Sequence, residues 1–141
     1  MSVAEILNGK NGDVVTATPE TLLVEVANTL AKHRIGALVV KDGAVVCGII
    51  SERDLVRHIA SDGADALDQQ VLKCMTKTVV SCQRTDTIDS VMEKMSTGRF
   101  RHLPVIEDGE LLGIISIGDV GKRKIEQAER DAEDLKRYSA S

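Results

Sequence analysis

The 141-residue sequence predicts an α+β fold: two β-α-β-β-α repeats packed about a pseudo-twofold axis, followed by a C-terminal helix. Three observations lead there. A heptapeptide of the form G-I-I-S-x-x-D occurs at Gly48 to Asp54 and again at Gly113 to Asp119. The apolar pattern upstream of each copy repeats in the same register without a gap. Each half also alternates short β-branched runs with amphipathic helical stretches, the mixture that stacks helices on a sheet.

Taken in order, Ser2-Val3-Ala4-Glu5 has the S-x-x-E form of a capping box, and Val3, Ile6 and Leu7 give a brief helix an apolar face. Asn8-Gly9 and Asn11-Gly12 end it. Val14-Val15-Thr16 reads as a short strand. Thr18-Pro19-Glu20 starts a helix, with Thr18 as N-cap and Pro19 where its missing amide costs nothing. Leu23, Val26, Ala27 and Leu30 share one face of that helix.

Ile35 to Val40 is a buried strand, Asp42-Gly43 a hairpin turn, and Val45 to Ile50 the return strand. Ser51 begins a helix that carries Leu55, Val56 and Ile59 toward the core, and Asp62-Gly63 stops it. Residues 64–73 form a connector with one apolar helical patch, Leu67, Val71 and Leu72.

The unit then restarts. Val79-Val80-Ser81 answers Val14-Val15-Thr16, and Ile88, Val91, Met92 and Met95 answer Leu23, Val26, Ala27 and Leu30. Phe100 answers Ile35, and Val105 answers Val40. Met75, Met92 and Met95 read as core filler. The organisation is a first repeat over 1–63, the connector over 64–73, a second repeat over 74–121 and a helical tail over 122–141. A half of about 60 residues buries little surface alone, so the two pack into one domain. In the tail, Ile125, Ala128, Ala132 and Leu135 recur at 3-4-3 spacing, a thin stripe for its own domain or for a second subunit.

Composition narrows the function. Hydrophobic content of 43% and charged content of 28% are those of a water-soluble globular protein. Aromatic content is 1%, which leaves no stacking platform for single-stranded nucleic acid. The net charge of −4 gives counterion release little to work with, so nucleic acid is not an expected partner. Cys47, Cys74 and Cys82 are odd in number and lack C-x-x-C spacing, and read as reduced thiols. No signal peptide and no apolar run of about 18 residues is visible, so the expected location is the cytoplasm and no membrane is involved. His33, His58 and His102 have no metal-ligand spacing, and no nucleophile–base pair recurs in both halves. The expected protein is not an enzyme and holds no metal.

The repeated motif carries the chemistry. Gly48 and Gly113 permit close backbone approach, and the Ile pair finishes a buried strand. Ser51 and Ser116 sit at an N-cap, with Asp54 and Asp119 at the third helical position, near the positive end of the dipole. Such a pair is a capping arrangement. It is also an anion site beside a carboxylate that can accept both hydroxyls of a ribose. Both readings stay open on these residues alone.

With its upstream strand, the motif resembles the CBS-domain family, and the resemblance covers residues 3 to 121. In the first half Ile35-Gly36-Ala37-Leu38-Val39-Val40 precedes G-I-I-S-E-R-D. In the second, Arg99-Phe100-Arg101-His102-Leu103-Pro104-Val105 precedes G-I-I-S-I-G-D, and Cys74-Met75-Thr76 opens the repeat in the family's manner. The whole is similar to a tandem CBS pair, the Bateman module, here as a stand-alone CBS-domain protein.

The resemblance implies a regulatory module that binds adenosyl ligands (AMP, ADP, ATP, S-adenosylmethionine or NAD(H)) in two clefts between the repeats, requires no cofactor, and signals energy or redox state to an unknown effector protein. One site would use Ser51, Arg53 and Asp54 with Thr78, Val80 and the Phe100-Arg101 backbone. The other would use Ser116 and Asp119 with Val15, Ile35, Gly36 and Ala37, and Arg101 or His102. His102 reads equally as a phosphate or ribose contact and as an ordinary strand-end residue. Glu52-Arg53 becomes Ile117-Gly118, so the sites are expected to be unequal: Arg53 offers a phosphate-gripping fork, Gly118 only backbone and room. A homodimer is the family's habit, and the helices after each motif could serve it. The competing function is an interaction or structural module whose degenerate sites bind no nucleotide.

Overall fold

The computed structural model describes residues 1–10 and 14–140. Its helices are α1 (Val3–Asn8), α2 (Leu23–His33), α3 (Glu52–Asp62), α4 (Ile88–Gly98) and α5 (Ile117–Ala140). Its strands are β1 (Thr16–Ala17), β2 (Ala37–Asp42), β3 (Val45–Ser51), β4 (His102–Glu107) and β5 (Glu110–Ser116). The expected turn at Asn11-Gly12 lies outside the described residues. From α2 onward, the starts of α2, β2, β3 and α3 recur at one constant offset in α4, β4, β5 and α5. It is the offset that carries Gly48 onto Gly113. The duplicated pattern in the sequence is therefore a duplicated structure.

The sheets are three-stranded, in the order β1-β2-β3, and two-stranded, β4-β5. β1 runs parallel to β2, with Thr16 opposite Val39. β2 and β3 form the antiparallel hairpin read from Asp42-Gly43, with Ala37 opposite Ser51 and a bulge at Val40/Lys41. Gly43 has φ +60°, the left-handed geometry the tight turn demands. Its counterpart in the second hairpin is Asp108 (φ +52°), followed by Gly109 (φ +76°).

The chain divides into two compact units that do not follow the repeat boundaries. One holds Asp13–Ser81 and Pro104–Ile114. Its core brings together Leu23, Val26 and Leu30 of α2, Leu38, Val40 and Ile50 of the sheet, and Leu55 of α3. Ala66 and Val71 of the connector join them, with Cys74 and Met75 just beyond it. The other unit holds Met1–Gly12, Cys82–Leu103 and Ile115–Ser141. Its buried residues include Val3, Ile6, Cys82, Ile88, Val91, Met95, Leu103, Ile115 and Val120. There α1 is strapped to the segment before α4: Val3 and Ala4 donate backbone N–H groups to the carbonyls of Asp86 and Arg84, and Ile88 donates to Met1.

Several expectations need correction. α2 starts at Leu23, not at Pro19, because Thr18 to Thr21 close a turn of their own, with Thr21 N–H donating to the Thr18 carbonyl at 3.1 Å. Glu25 then caps the helix by accepting from Leu22 N–H at 3.0 Å. Ser2 is the N-cap of α1 but makes no side-chain cap bond; its backbone forms a bridge with Thr87. The first strand is Thr16–Ala17, later than Val14-Val15-Thr16 predicts. Among the described residues, 79–81 form no named strand. The connector folds as two 3-10 helices, Gly63–Asp68 and Val71–Lys73, with Ala66 and Val71 buried while Leu72 is exposed. Val56 (67% exposed), Ile59 (40%) and Met92 (41%) do not reach the core. In α3, Leu55 alone is fully covered, since one short helix laid on a sheet hides a narrow stripe.

Two further features repeat, and the motif pattern does not announce them. Arg34 and Arg99 end α2 and α4 in left-handed geometry, at φ 54° and 57°. The next residue then closes the helix in each case, with Ile35 N–H donating to Leu30 and Phe100 N–H to Met95.

Candidate functional site at the two Ser-x-x-Asp motifs

In the first motif, β3 delivers Ser51 to the mouth of α3. The segment at Thr76 lies along β3, with Ile49 and Thr76 exchanging both backbone hydrogen bonds at 3.0 and 2.9 Å. A Cβ at Gly48 would overlap the Met75 thioether and stand 3.0 Å from the Thr76 carbonyl oxygen, so glycine is what this approach requires. Ser51 is extended (φ −110°, ψ 165°), as an N-cap must be. Its backbone N–H donates to Asp54 Oδ2 at 2.9 Å, and its hydroxyl donates to the same oxygen at 3.1 Å. Asp54 N–H returns a bond to Ser51 Oγ at 3.3 Å. Glu52 N–H, at the first helical position, donates to the Gly36 carbonyl at 2.9 Å.

The second motif reproduces this network. Ser116 N–H donates to Asp119 Oδ2 at 2.8 Å, and Asp119 N–H to Ser116 Oγ at 3.1 Å. Ile117 N–H donates to the Arg101 carbonyl at 2.8 Å, the equivalent of the Glu52–Gly36 bond. The family resemblance assigns Gly36 and Arg101 to the site. The structure adds that each one's carbonyl anchors the first turn of the helix its own repeat's motif begins.

The motifs differ in the cation that faces the acid. Arg57 Nη1 stands 3.6 Å from Asp54 Oδ1, whereas Lys10 Nζ makes a 2.7 Å ion pair with Asp119 Oδ2. Burial pushes the Asp119 carboxyl up. Lys10 and the Ser116 N–H outweigh it and hold the group below its ordinary value of 3.8. The sequence reading singles out neither cation. Arg57 is legible as an i+3 partner of Asp54, but Lys10 is brought to Asp119 only by the fold. In both motifs the cap engages Oδ2 and leaves Oδ1 outside it.

Of the assigned residues, Val15, Ile35, Gly36, Ala37, Ser51, Arg53, Asp54, Thr78 and Val80 belong to the unit that contains Asp13–Ser81. Phe100, Arg101, His102, Ser116 and Asp119 belong to the other. Arg53, Thr78 and Arg101 are exposed, Ala37 is buried, and Val15, Val80, Phe100 and His102 are half-buried. His58 Nε2 lies 3.2 Å from the Cys74 carbonyl oxygen, which ties it to backbone. Among the described residues no cluster of His, Cys, Asp or Glu is placed to hold a metal ion, and no helix is long and apolar enough to cross a membrane. A groove of about 540 Å³ opens between α2 and α3, bordered by Leu30, Arg34, Ile35, Glu52, Val56 and Ile59. Chemically, each motif offers a helix N-terminus, a hydroxyl and a carboxylate on one short stretch, the groups that meet an anion and a sugar diol.

Known proteins carry the same architecture. The CBS domain family model matches residues 3–61 and again 70–124. The curated CBS domain-containing protein CBSCBSPB5 of Arabidopsis thaliana is 31% identical over 128 residues, which is 90% of this chain and 23% of that protein. The chain thus spans about a quarter of the length of that relative. Among solved structures, the CBS-domain containing protein ATU1752 of Agrobacterium tumefaciens is 52% identical with a TM-score of 0.85, covering 88% of this chain and 99% of that one. The CBS domain pair of MJ0100, in complex with 5-methylthioadenosine and S-adenosyl-L-methionine, is 25% identical with a TM-score of 0.80 over 90% of this chain and 98% of its own. The CBS domain protein PAE2072 of Pyrobaculum aerophilum, complexed with AMP, is 28% identical with a TM-score of 0.74 over 84% of this chain and 89% of its own. A duplicated strand–helix unit, two register-matched Ser-x-x-Asp networks and two consecutive family matches place the chain in the CBS-domain family, as a tandem pair.

Proposed function

We propose that the chain is a regulatory module that binds adenosyl nucleotides at its two Ser-x-x-Asp motifs and reports their level to a separate effector protein. The observation that carries this is the repetition, in matched register, of a hydrogen-bonded Ser–Asp pair at a helix N-terminus, with one carboxylate oxygen outside the cap. Solved relatives hold AMP, or 5-methylthioadenosine and S-adenosyl-L-methionine, which supports the adenosyl class. AMP, ADP, ATP and NAD(H) are the ligands proposed here. Ser51, Arg53 and Asp54 act with Thr78, Val80 and the backbone of Phe100 and Arg101. Ser116 and Asp119 act with Val15, Ile35, Gly36, Ala37 and either Arg101 or His102. The module works by binding, without turnover, in the cytoplasm. It is a homodimer, for which the exposed Val56 and Ile59 on α3 and the adjoining groove supply an apolar face.

A second reading has an observation of its own. Ser51 and Asp54 form a complete capping box, and a capped helix has a use for both residues without any ligand. Titration calorimetry with AMP, ADP, ATP, NADH and S-adenosylmethionine separates the two. Under the proposal, at least one ligand binds, and at 100 times its dissociation constant it stabilises the protein by about 2.7 kcal/mol. Silence across the panel, with normal folding, would leave the interaction module as the function. Chromatography of the same mixtures after hours of incubation should return each ligand unchanged, and a converted nucleotide would make the chain an enzyme.

A further inference from the structure

α5 continues past the point where its counterpart stops. Gly63, at φ +69°, terminates α3. The residue in register with it is Ala128, which has no such preference, and α5 runs on to Ala140. Every residue from Ala128 to Ser139 is exposed. A helical extension of that length is marginal in water without a surface to pack on.

The extension has one apolar stripe. Ile125 is 63% exposed and Leu135 is 67% exposed, with Ala128 and Ala132 between them at a and d spacing. The face of α5 that meets its own unit is a different one, marked by buried Val120, by Arg123 Nη2 donating to the Glu5 carbonyl at 2.9 Å, and by the Lys124–Asp89 ion pair. So the stripe does not fold back onto the unit, one of the two uses open to it in the sequence.

Its flanks are self-complementary. One side carries Lys122, Glu129 and Lys136, the other Asp131, while Lys124 is held by Asp89 of its own unit. Two such helices laid parallel set Asp131 against Lys136. Laid antiparallel, they set Glu129 against Lys136. In either direction unlike charges meet across the seam. We propose that α5 pairs with the α5 of a second copy of this chain through Ile125, Ala128, Ala132 and Leu135, as a two-heptad coiled coil. The alanines thin the seam but let the helices approach closely. This contact is separate from the α2–α3 face, and a pair joined only at that face would leave α5 unzipped.

The test uses the full chain carrying Ala128→Cys and Ala132→Cys, oxidised with copper phenanthroline. Arg130→Cys, on the polar side of the helix, and the wild type with its native cysteines serve as controls. A disulfide-linked dimer about tenfold more abundant than in either control is expected. Ala128→Cys alone should suffice if the helices are parallel, and the double variant is required if they are antiparallel; either result supports pairing. Adding Leu135→Lys, which changes only an exposed side chain of the monomer, should return cross-linking to control levels while the chain still unfolds in one cooperative thermal transition. Equal cross-linking of the Arg130→Cys control, or indifference to Leu135→Lys, would overturn the proposal. A dimer seen by light scattering in a double variant that does not cross-link would leave the α2–α3 face as the contact and would overturn it too.

Discussion

Substituting Asp119 by Asn tests the second motif most sharply, because the amide keeps the shape and loses the charge. Asn still offers an oxygen to Ser116 N–H, the 2.8 Å bond that closes the cap. It cannot pair with Lys10, which stands 2.7 Å from Oδ2 with side chains 41% and 27% exposed. An ion pair that open to water contributes about 0.5 kcal/mol. The lost charge near a helix N-terminus adds about 0.5 kcal/mol more. With an unfolding entropy of about 2.1 cal/mol/K per residue, a loss of about 1 kcal/mol lowers the melting temperature by about 3 °C.

Nucleotide affinity should suffer more. Removing a carboxylate that accepts hydroxyl bonds costs about 1.5–3 kcal/mol, or about 10- to 150-fold at that site. Calorimetry on both proteins, with melts at pH 7 and pH 3, reads all of these. The Asp119 carboxyl lies below its ordinary 3.8 in the folded chain. Its contribution is therefore complete above the ordinary aspartate range and fades as pH falls through the depressed folded value. The stability gap between wild type and variant should accordingly narrow at pH 3. An unchanged nucleotide affinity, with the melting loss intact, would reduce Asp119 to a cap and refute the ribose role.

Other consequences come from local geometry. Arg34→Gly and Arg99→Gly relieve left-handed backbone at φ 54° and 57° and should each stabilise the chain by about 0.5–1 kcal/mol in urea melts; a loss would mean the arginine side chains matter more than their backbone. Gly48→Ala forces Met75 aside and crowds the Thr76 carbonyl, costing about 1–3 kcal/mol, and a neutral result would mean that the strand contact yields freely. Burial, then the nearby Asp86, push the Cys82 thiol up to about 11. Mass spectrometry after iodoacetamide treatment at pH 8 should therefore find half-buried Cys47 alkylated before Cys82, until urea exposes both. Equal rates in the folded protein would contradict that burial.

By itself the sequence determined the repeat, its register and nearly every element. The signals involved are local. Strand and helix periods, the hairpin turn at Asp42-Gly43, and a serine three positions before an acid act over a short stretch, wherever the rest of the chain goes. The family emerged because two copies of one motif in one register leave few alternatives. Gly63 against Ala128 was equally local, though its outcome, one helix that stops and one that runs on, became visible only beside the observed lengths. Tertiary structure decided what depends on distant partners. The Thr18–Thr21 turn and the Leu22–Gln70 bridge set the start of α2. The narrow contact of α3 with its sheet left Val56 and Ile59 outside. The fold of α1 beside the second motif delivered Lys10 to Asp119 from near the opposite end of the chain. A pairwise charge contact has no signature in either chain segment that makes it, so it is written only in the packing that brings the two together.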